Sequence, residues 1–401
     1  MPDPGRIICI AGAGISGMTL ALALAKFGAR ILLIEREPSI QEFGAGLQIS
    51  PNARRVLSRL GLDRAIDEVS FRPEGIDVYT ARGEKHLITL QLGEIAEHRY
   101  GVPYAVMHRQ DLAEVLHRAC KRFANIDFMF GAKGFAVTET DKGVSVAVDE
   151  ADGHTRNLRA FAFVGADGVN SRTRTLLLGL PAAQATGLIA WRALLPTSAV
   201  WDLIVTNRTS LFFGPGWHLV AYPLAHRNHV NLALFLKDEL KPGEDPPRNP
   251  VISSRNAPGA RVEALLKLAH NSWGRWPLNL VSAPTWHKNS IGLIGDAAHA
   301  MLPFQAQGAA MGIEDAAVLA PLLMSEPTAD AAFTRYEQIR RNRVARVVKI
   351  SRSNGQIYGL GGPLALGRDL VVRLGGPTGH LKRLDWLYGY DAAPETATEP
   401  A

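Results

Sequence analysis

The sequence predicts an α/β protein: a Rossmann-like dinucleotide-binding domain carrying an inserted mixed β-sheet domain, followed by C-terminal helices. Three observations predict it. A glycine-rich loop, Gly12-Ala13-Gly14-Ile15-Ser16-Gly17, lies between an apolar strand and an Ala/Leu-rich helix. Five of the seven tryptophans fall between Trp201 and Trp286, in a stretch of β-like runs that interrupts the α/β pattern. The chain then returns to an apolar strand, Ser290–Ile294, and to two long helical segments.

Taken in order, Arg6–Ala11 reads as a short buried strand, Ile15–Phe27 as a helix ended by Gly28, and Arg30–Ile34 as a second strand closed by Glu35. Together they make one βαβ unit. Ser50-Pro51 opens a further helix, with serine as cap and proline at the first helical position, and Gly61 ends it. Asp111–Arg122 is another helix. From Asp127 to Val164 the pattern alternates and breaks at Asp141-Lys142-Gly143 and Asp152-Gly153, which predicts an antiparallel meander. Ser210–Phe213 and Val230–Phe235 read as strands of a second sheet that covers a pocket, and Lys241–Pro258 as a surface loop. The arginine-rich helix Arg335–Arg352 reads as a solvated face. The boundaries expected are 1–72, 98–179 and 282–355 for a discontinuous dinucleotide-binding domain, 73–97 and 180–281 for a substrate-binding β-sheet domain, and 356–401 for a C-terminal segment.

Composition narrows the function classes. The chain has 401 residues, 47% hydrophobic and 20% charged, which is ordinary for a globular protein and excludes a largely disordered chain or a coiled coil. Cys9 and Cys120 are too few for a disulfide framework or a cysteine metal site, and fit a reducing, cytoplasmic compartment. Forty-four basic against 38 acidic residues leave +6, an excess that favours anionic small molecules and is too diffuse to argue for nucleic acid. Ile7–Ala25 runs 19 residues without a charge. Glycines at 12, 14 and 17 and the absence of a basic leader make it strand, turn and helix, not a membrane span or a signal peptide. No metal-ligand spacing stands out.

The chemistry starts at the glycine loop. Gly12 permits the tight turn, Gly14 lets the backbone approach a pyrophosphate, Gly17 allows close helix–strand packing, and the helix N-terminus offers free N–H donors. Glu35, 18 residues after Gly17, stands where a ribose diol is gripped. These residues leave open whether the dinucleotide is FAD or NAD. Two later motifs decide it: Val164-Gly165-Ala166-Asp167-Gly168-Val169-Asn170-Ser171, and Ile294-Gly295-Asp296-Ala297-Ala298-His299 leading into Pro303-Phe304-Gln305-Ala306-Gln307-Gly308.

With these motifs, and with Glu35-Arg36, Gly44-Ala45-Gly46-Leu47, His108-Arg109-Gln110-Asp111-Leu112, Ile313-Glu314-Asp315-Ala316 and Asp385–Asp391, the sequence resembles the single-component (group A) flavoprotein aromatic hydroxylases. These share the fold of para-hydroxybenzoate hydroxylase, and salicylate hydroxylase and 3-hydroxybenzoate 6-hydroxylase are the members it is most like. The likeness covers essentially the whole chain. It implies FAD held by Gly12, Gly14, Ile15, Ser16, Gly17, Gly46, Leu47, Pro303, Gly308 and Ala309. Glu35 would hold the adenosine ribose, Arg36 lie beside the adenine, Arg109 contact the chain near the pyrophosphate, and Asp296 bond a ribitol hydroxyl. Asp167 is linked in such enzymes to both FAD and the nicotinamide cofactor. A helix starting near Gly308 can aim its N-terminus at the reduced flavin and stabilise its charge.

His218 and Tyr222 lie four apart on a presumed strand, so both side chains share a face. The resemblance places them, with Gln307, in the substrate pocket as catalytic residues, and a histidine near neutral pKa would take a phenol proton. Gln48 is a further candidate substrate contact, and His299 reads as structural. The implied activity is hydroxylation of a phenolic or heteroaromatic acid, salicylate-like, using NADH or NADPH and O₂ through a flavin C4a-hydroperoxide. No nucleic acid and no stable membrane anchoring are expected, and a homodimer is left open. The alternatives are a quinone-pathway hydroxylase, an isoprenoid reductase or a halogenase on a related fold, or a non-catalytic FAD-binding protein. Trp273-Gly274-Arg275-Trp276-Pro277 has the wrong spacing and position for a halogenase signature.

Overall fold

A computed structural model describes residues 5–41, 46–80, 85–240 and 244–392. Its centre is a six-stranded sheet in the order His287–Lys288, Ile291–Leu293, Ala162–Gly165, Ile7–Ala11, Arg30–Ile34 and Ile126–Met129. All neighbours are parallel except the first pair. The Ile7–Ala11 strand, first in the chain, lies inside the sheet, with the next strands, Arg30–Ile34 and Ile126–Met129, on one side and the last ones, from Ala162–Gly165 onward, on the other. The loop leaving its C-terminal end therefore opens at the switch point where α/β sheets bind ligands. That loop leads into the helix Ile15–Lys26, which packs on the helix Gly308–Ser325. Gly308–Ser325 is long and apolar enough to cross a membrane, but 72% of it is buried, as in the core helix of a globular domain.

The predicted meander is narrower than the sequence suggests. Only Gly134–Thr140, Gly143–Asp149 and Thr155–Ala160 form it. Ala162–Gly165 joins the parallel sheet instead, its four residues all buried as in a strand covered on both faces, and Ile126–Met129 pairs in parallel with Arg30–Ile34 as the edge strand. The helix Pro51–Arg59 starts where expected, yet the Ser50 hydroxyl does not cap it and donates to Asn52 Oδ1 at 2.7 Å.

A second, seven-stranded sheet runs in the order Gly274–Leu280, Gln184–Pro196, His229–Lys237, Trp217–Leu224, Thr209–Gly214, Gly75–Tyr79 and His86–Gln91. It is mixed, since Thr209–Gly214 pairs with Gly75–Tyr79 in parallel. One of its faces looks across a cavity at the glycine loop and at the segment before Gly308–Ser325.

The arginine-rich helix, Ala329–Tyr358, keeps Arg335, Arg346 and Arg352 exposed but corrects the reading of a wholly solvated face. Arg340 is fully buried and binds Glu314 at 2.5 Å and Asp315 at 2.8 Å, and Arg343 reaches Glu314 at 2.7 Å. Two carboxylates buried on Gly308–Ser325 require cations inside, because an unpaired buried charge is strongly unfavourable.

Candidate active site

A cavity of about 1350 Å³ lies between the two sheets. It exceeds the roughly 300–1,000 Å³ of an ordinary single-ligand pocket, as a site shared by a dinucleotide and a substrate must. One wall is the dinucleotide cradle. Gly12 sits at φ +103°, and a Cβ there would come within 2.4 Å of Ala166 O, so only glycine lets this turn pass the neighbouring strand. Gly17 is not a lining residue. A Cβ on it would stand 2.0 Å from Gly12 O, so its role is to bring helix and loop together. Gly14, Ile15 and Ser16 line the cavity, with the backbone amides of the helix start beside them.

Glu35 and Arg36 close the far end of this wall. Glu35 accepts the N–H of Ala13 and of Glu37, which leaves lone pairs to accept from a diol. Arg36 is largely exposed, bonds Glu37 at 3.2 Å, and borders the cavity. Asp296 lines it with no hydrogen-bond partner for its carboxylate among the described residues, as a hydroxyl-accepting group should. Leu47 and Gly46 lie on the strand Gly46–Ile49, and Arg109, Pro303, Gly308 and Ala309 complete the wall. These residues fit FAD: a glycine cradle at a helix start, a pinned carboxylate for a ribose, and a second acceptor farther along. Gly44 and Ala45 lie outside the described residues.

Asp167 lines the cavity, but its carboxylate is spent on its own loop. It accepts from Ser171 Oγ at 2.6 Å and from the Thr173 N–H at 2.9 Å and Oγ1 at 3.0 Å. His299 is structural, as read: it is buried with Nε2 2.6 Å from Asp315. Burial alone would raise Asp315, but His299 and Arg340 outweigh it and bring the carboxyl down to about 2.

The opposite wall is the inner face of the seven-stranded sheet. His218 and Tyr222 both face the cavity, as the period of two requires. His218 stacks on Phe235 with centroids 4.7 Å apart and meets the edges of Phe304 and Tyr358. Its ring has no protein hydrogen-bond partner among the described residues. Enclosure by these rings pulls its pKa down to about 3, which corrects the expected near-neutral base: the imidazole is neutral. Burial pushes the Tyr222 phenol up, so it stays protonated, and its hydroxyl lies over Gly46, where a Cβ would meet it at 2.3 Å. Gln48 lines the cavity and accepts from the Tyr104 hydroxyl.

Gln307 is a second correction. Its side chain is turned away from the cavity, with Oε1 accepting from Asn52 at 3.0 Å and Nε2 donating to Ser50 Oγ at 2.9 Å. Both amide ends are consumed in a buried network that reaches Glu314 through Asn52. It therefore supports the start of Gly308–Ser325 instead of touching substrate.

The residue the sequence reading missed is Arg192. It lines the cavity from the middle of the strand Gln184–Pro196, and its guanidinium has no acidic partner among the described residues. Its Nε is buried without a hydrogen bond, and burial lowers its pKa against the pull of Tyr222. The signal was present: a lone cation between Ala190 and Leu194, on one face of an otherwise apolar strand. Among the described residues, no group of three or more His, Cys, Asp or Glu could hold a metal.

Comparison with known proteins agrees with this geometry. Residues 7–351 match the FAD binding domain family. The chain is 31% identical over 388 residues to 3-hydroxybenzoate 6-hydroxylase 1 of Aquipseudomonas alcaligenes, covering 95% of this chain and 97% of the relative. It is 32% identical over 403 residues to 3-amino-4-hydroxybenzoate 2-monooxygenase PtmB3 of Streptomyces platensis, covering 96% of each. A salicylate hydroxylase substrate complex superposes with a TM-score of 0.77 at 25% identity, over 97% of this chain and 96% of that one. Fold and cradle define the class, a flavoprotein that binds FAD. The chain belongs to the FAD-binding family and, within it, to the group A flavin-dependent aromatic hydroxylases.

Proposed function

We propose that the protein hydroxylates a phenolic or heteroaromatic acid of the salicylate type, using NADH or NADPH and O₂. The observation that carries this is Arg192, a half-buried cation with its Nε buried and unbonded and no acidic partner among the described residues, in the cavity that the FAD-fitting residues share. Such a group stabilises a bound carboxylate through a charge-assisted pair. In this reading the substrate ring lies on the sheet between Arg192 and His218. Tyr222, protonated, donates to the acid or to the ring oxygen. His218, neutral, accepts the phenolic O–H and pulls electron density towards the ring without carrying the proton at rest. Phe235, Phe304 and Tyr358 keep water from the reacting carbon. FAD, when bound, supplies the passage of electrons from nicotinamide to O₂.

The test is a panel of hydroxylated aromatic acids, scored for stimulated NAD(P)H oxidation and hydroxylated product, with Arg192→Ala alongside wild type. A carboxylate anchored by Arg192 predicts a KM raised about tenfold or more in the variant, with FAD retained. An unchanged KM for acids, or no acid that yields product, sinks the reading. A cytoplasmic location is supported by the two buried free cysteines. A homodimer is supported by the exposed Leu364, Leu366 and Leu374 on one helix, and light scattering tests it.

A further inference from the structure

The inner face of the seven-stranded sheet does not end where a benzoate would. Across the strands, Arg192 faces Ala233, Ala233 faces Val220, Val220 faces Leu211, Leu211 faces Val78 and Val78 faces Ile88. Residues in register stand on one face of a sheet, and all six of these line the same cavity. Neighbouring strands are about 4.8 Å apart, so this row runs roughly 24 Å from a cation to hydrocarbon. A single ring anchored on Arg192 covers Ala233 and Val220 only. Leu211, Val78 and Ile88 remain, packed with Phe213 and roofed by Tyr358 and Val372.

Beyond Arg192 the row itself carries no polar side chain. Arg368 lines the cavity there, but it pairs with Asp369 and donates to the carbonyls of Ile357, Tyr358 and Leu360. His380 is bonded to Val372 O at 2.9 Å. The buried carboxylate in this part of the sheet, Asp77, points to the other face, where Thr89 and Tyr79 hold it. The row itself is thus apolar beyond Arg192, while Thr209 beside Leu211, its hydroxyl unbonded, and the exposed Arg383 are polar groups that border the same cavity.

We propose that the substrate is an aromatic hydroxy acid bearing a hydrocarbon side chain, with its carboxylate on Arg192 and its chain along Leu211, Val78 and Ile88. This rests on the hydroxylase reading above and adds the substituent to it. Binding then grows with chain length, because each methylene moved from water onto this strip strengthens binding by about three- to fourfold.

The experiment uses FAD-loaded enzyme and salicylates alkylated at ring position 4 or 5, from methyl to heptyl. Kd is read by calorimetry, and turnover by product formed per NAD(P)H consumed. The expected result is a Kd that falls about three- to fourfold per carbon until the strip is filled, with coupling maintained. Ile88→Phe should remove the gain for the longer chains while leaving salicylate itself unaffected, and Leu211→Ala should move the optimum to a longer chain. Thermal unfolding and bound FAD verify that both variants are folded. A Kd that is flat or rises with chain length, in enzyme that hydroxylates salicylate, overturns the side-chain proposal and leaves the hydroxylase reading standing. Chain-dependent Kd without any hydroxylated product supports the strip as a hydrocarbon site and overturns the hydroxylase reading instead.

Discussion

Glu35 Oε2 accepts the backbone N–H of Ala13 at 2.8 Å, so the end of the second strand is tied directly to the glycine loop. The other oxygen takes the N–H of Glu37 at 3.0 Å. One carboxylate therefore fixes the cradle and presents an acceptor to the ribose. Glu35→Gln keeps one oxygen and loses the charge. Hydrogen bonds to charged groups contribute about 1.5–3 kcal/mol, so FAD affinity should fall by about one to two orders of magnitude. Flavin fluorescence titration of refolded apoprotein measures it, and wild-type affinity in the variant would remove Glu35 from the site.

Gln307 separates support from contact. Removing its amide by Gln307→Leu leaves Ser50 and Asn52 each short of a buried partner. The expected loss of stability is about 1–3 kcal/mol, with KM for the aromatic acid nearly unchanged. Denaturant unfolding and steady-state kinetics give the two numbers. A raised KM with wild-type stability would return Gln307 to the substrate pocket.

What was legible in the sequence was local. The glycine loop, Glu35 at the end of the next strand, and the start of a helix at Gly308 are each set by a few neighbouring residues, so spacing alone carried them. The same-face relation of His218 and Tyr222 followed from the strand period. What spacing could not show was pairing across distance. Arg340 meets Glu314 26 positions away, and that contact draws Arg340 and Arg343 inside while Arg335, Arg346 and Arg352 stay on the solvated face. Gln307 meets Ser50 from 257 positions away, which drew it out of the pocket. Arg192 stands in the site only because the register between strands sets it opposite Ala233. The electrostatics of His218 were equally hidden, since Phe235, Phe304 and Tyr358 come from three separate elements.

The Glu314–Asp315–Arg340 cluster makes its own prediction. Arg340→Ala leaves two buried carboxylates with only Arg343 and His299 as charged or titratable partners, beside the neutral donors Asn52 and Gly295 N–H, and breaking a buried pair in this way costs about 3–5 kcal/mol. The urea midpoint should fall accordingly. Asp315, held down at about 2, contributes stability that is present above the usual carboxyl range and is lost as pH falls towards 2. Arg340→Ala should weaken this acid dependence. An unchanged midpoint and an unchanged acid limb would show that the cluster is not what holds Gly308–Ser325 to the arginine helix.

His218 supplies a pH signature that separates packing from chemistry. Its pKa is about 3 in the folded protein and about 6.5 in an unfolded chain. Above pH 6.5 both states are neutral and the residue contributes nothing to the pH dependence. Between 6.5 and 3 the unfolded chain binds a proton that the folded protein does not, so stability falls as pH falls, by up to about 1.4 kcal/mol per pH unit. His218→Phe keeps a ring among Phe235, Phe304 and Tyr358 but cannot titrate, so the stability difference between wild type and variant should slope across this window and be flat above it. Catalysis reads the other role. A resident base would lose about 10²–10⁴-fold in hydroxylation rate on removal, whereas a neutral acceptor of the phenolic hydrogen loses only what one hydrogen bond contributes, about 0.5–1.5 kcal/mol or two- to twelvefold. The expected phenotype is the smaller loss, with flavin reduction intact, less product per NAD(P)H, and no inflection near pH 6.5 that the variant abolishes. A loss of a hundredfold or more, or such an inflection, would make His218 the proton acceptor after all, its pKa raised by the substrate that covers it.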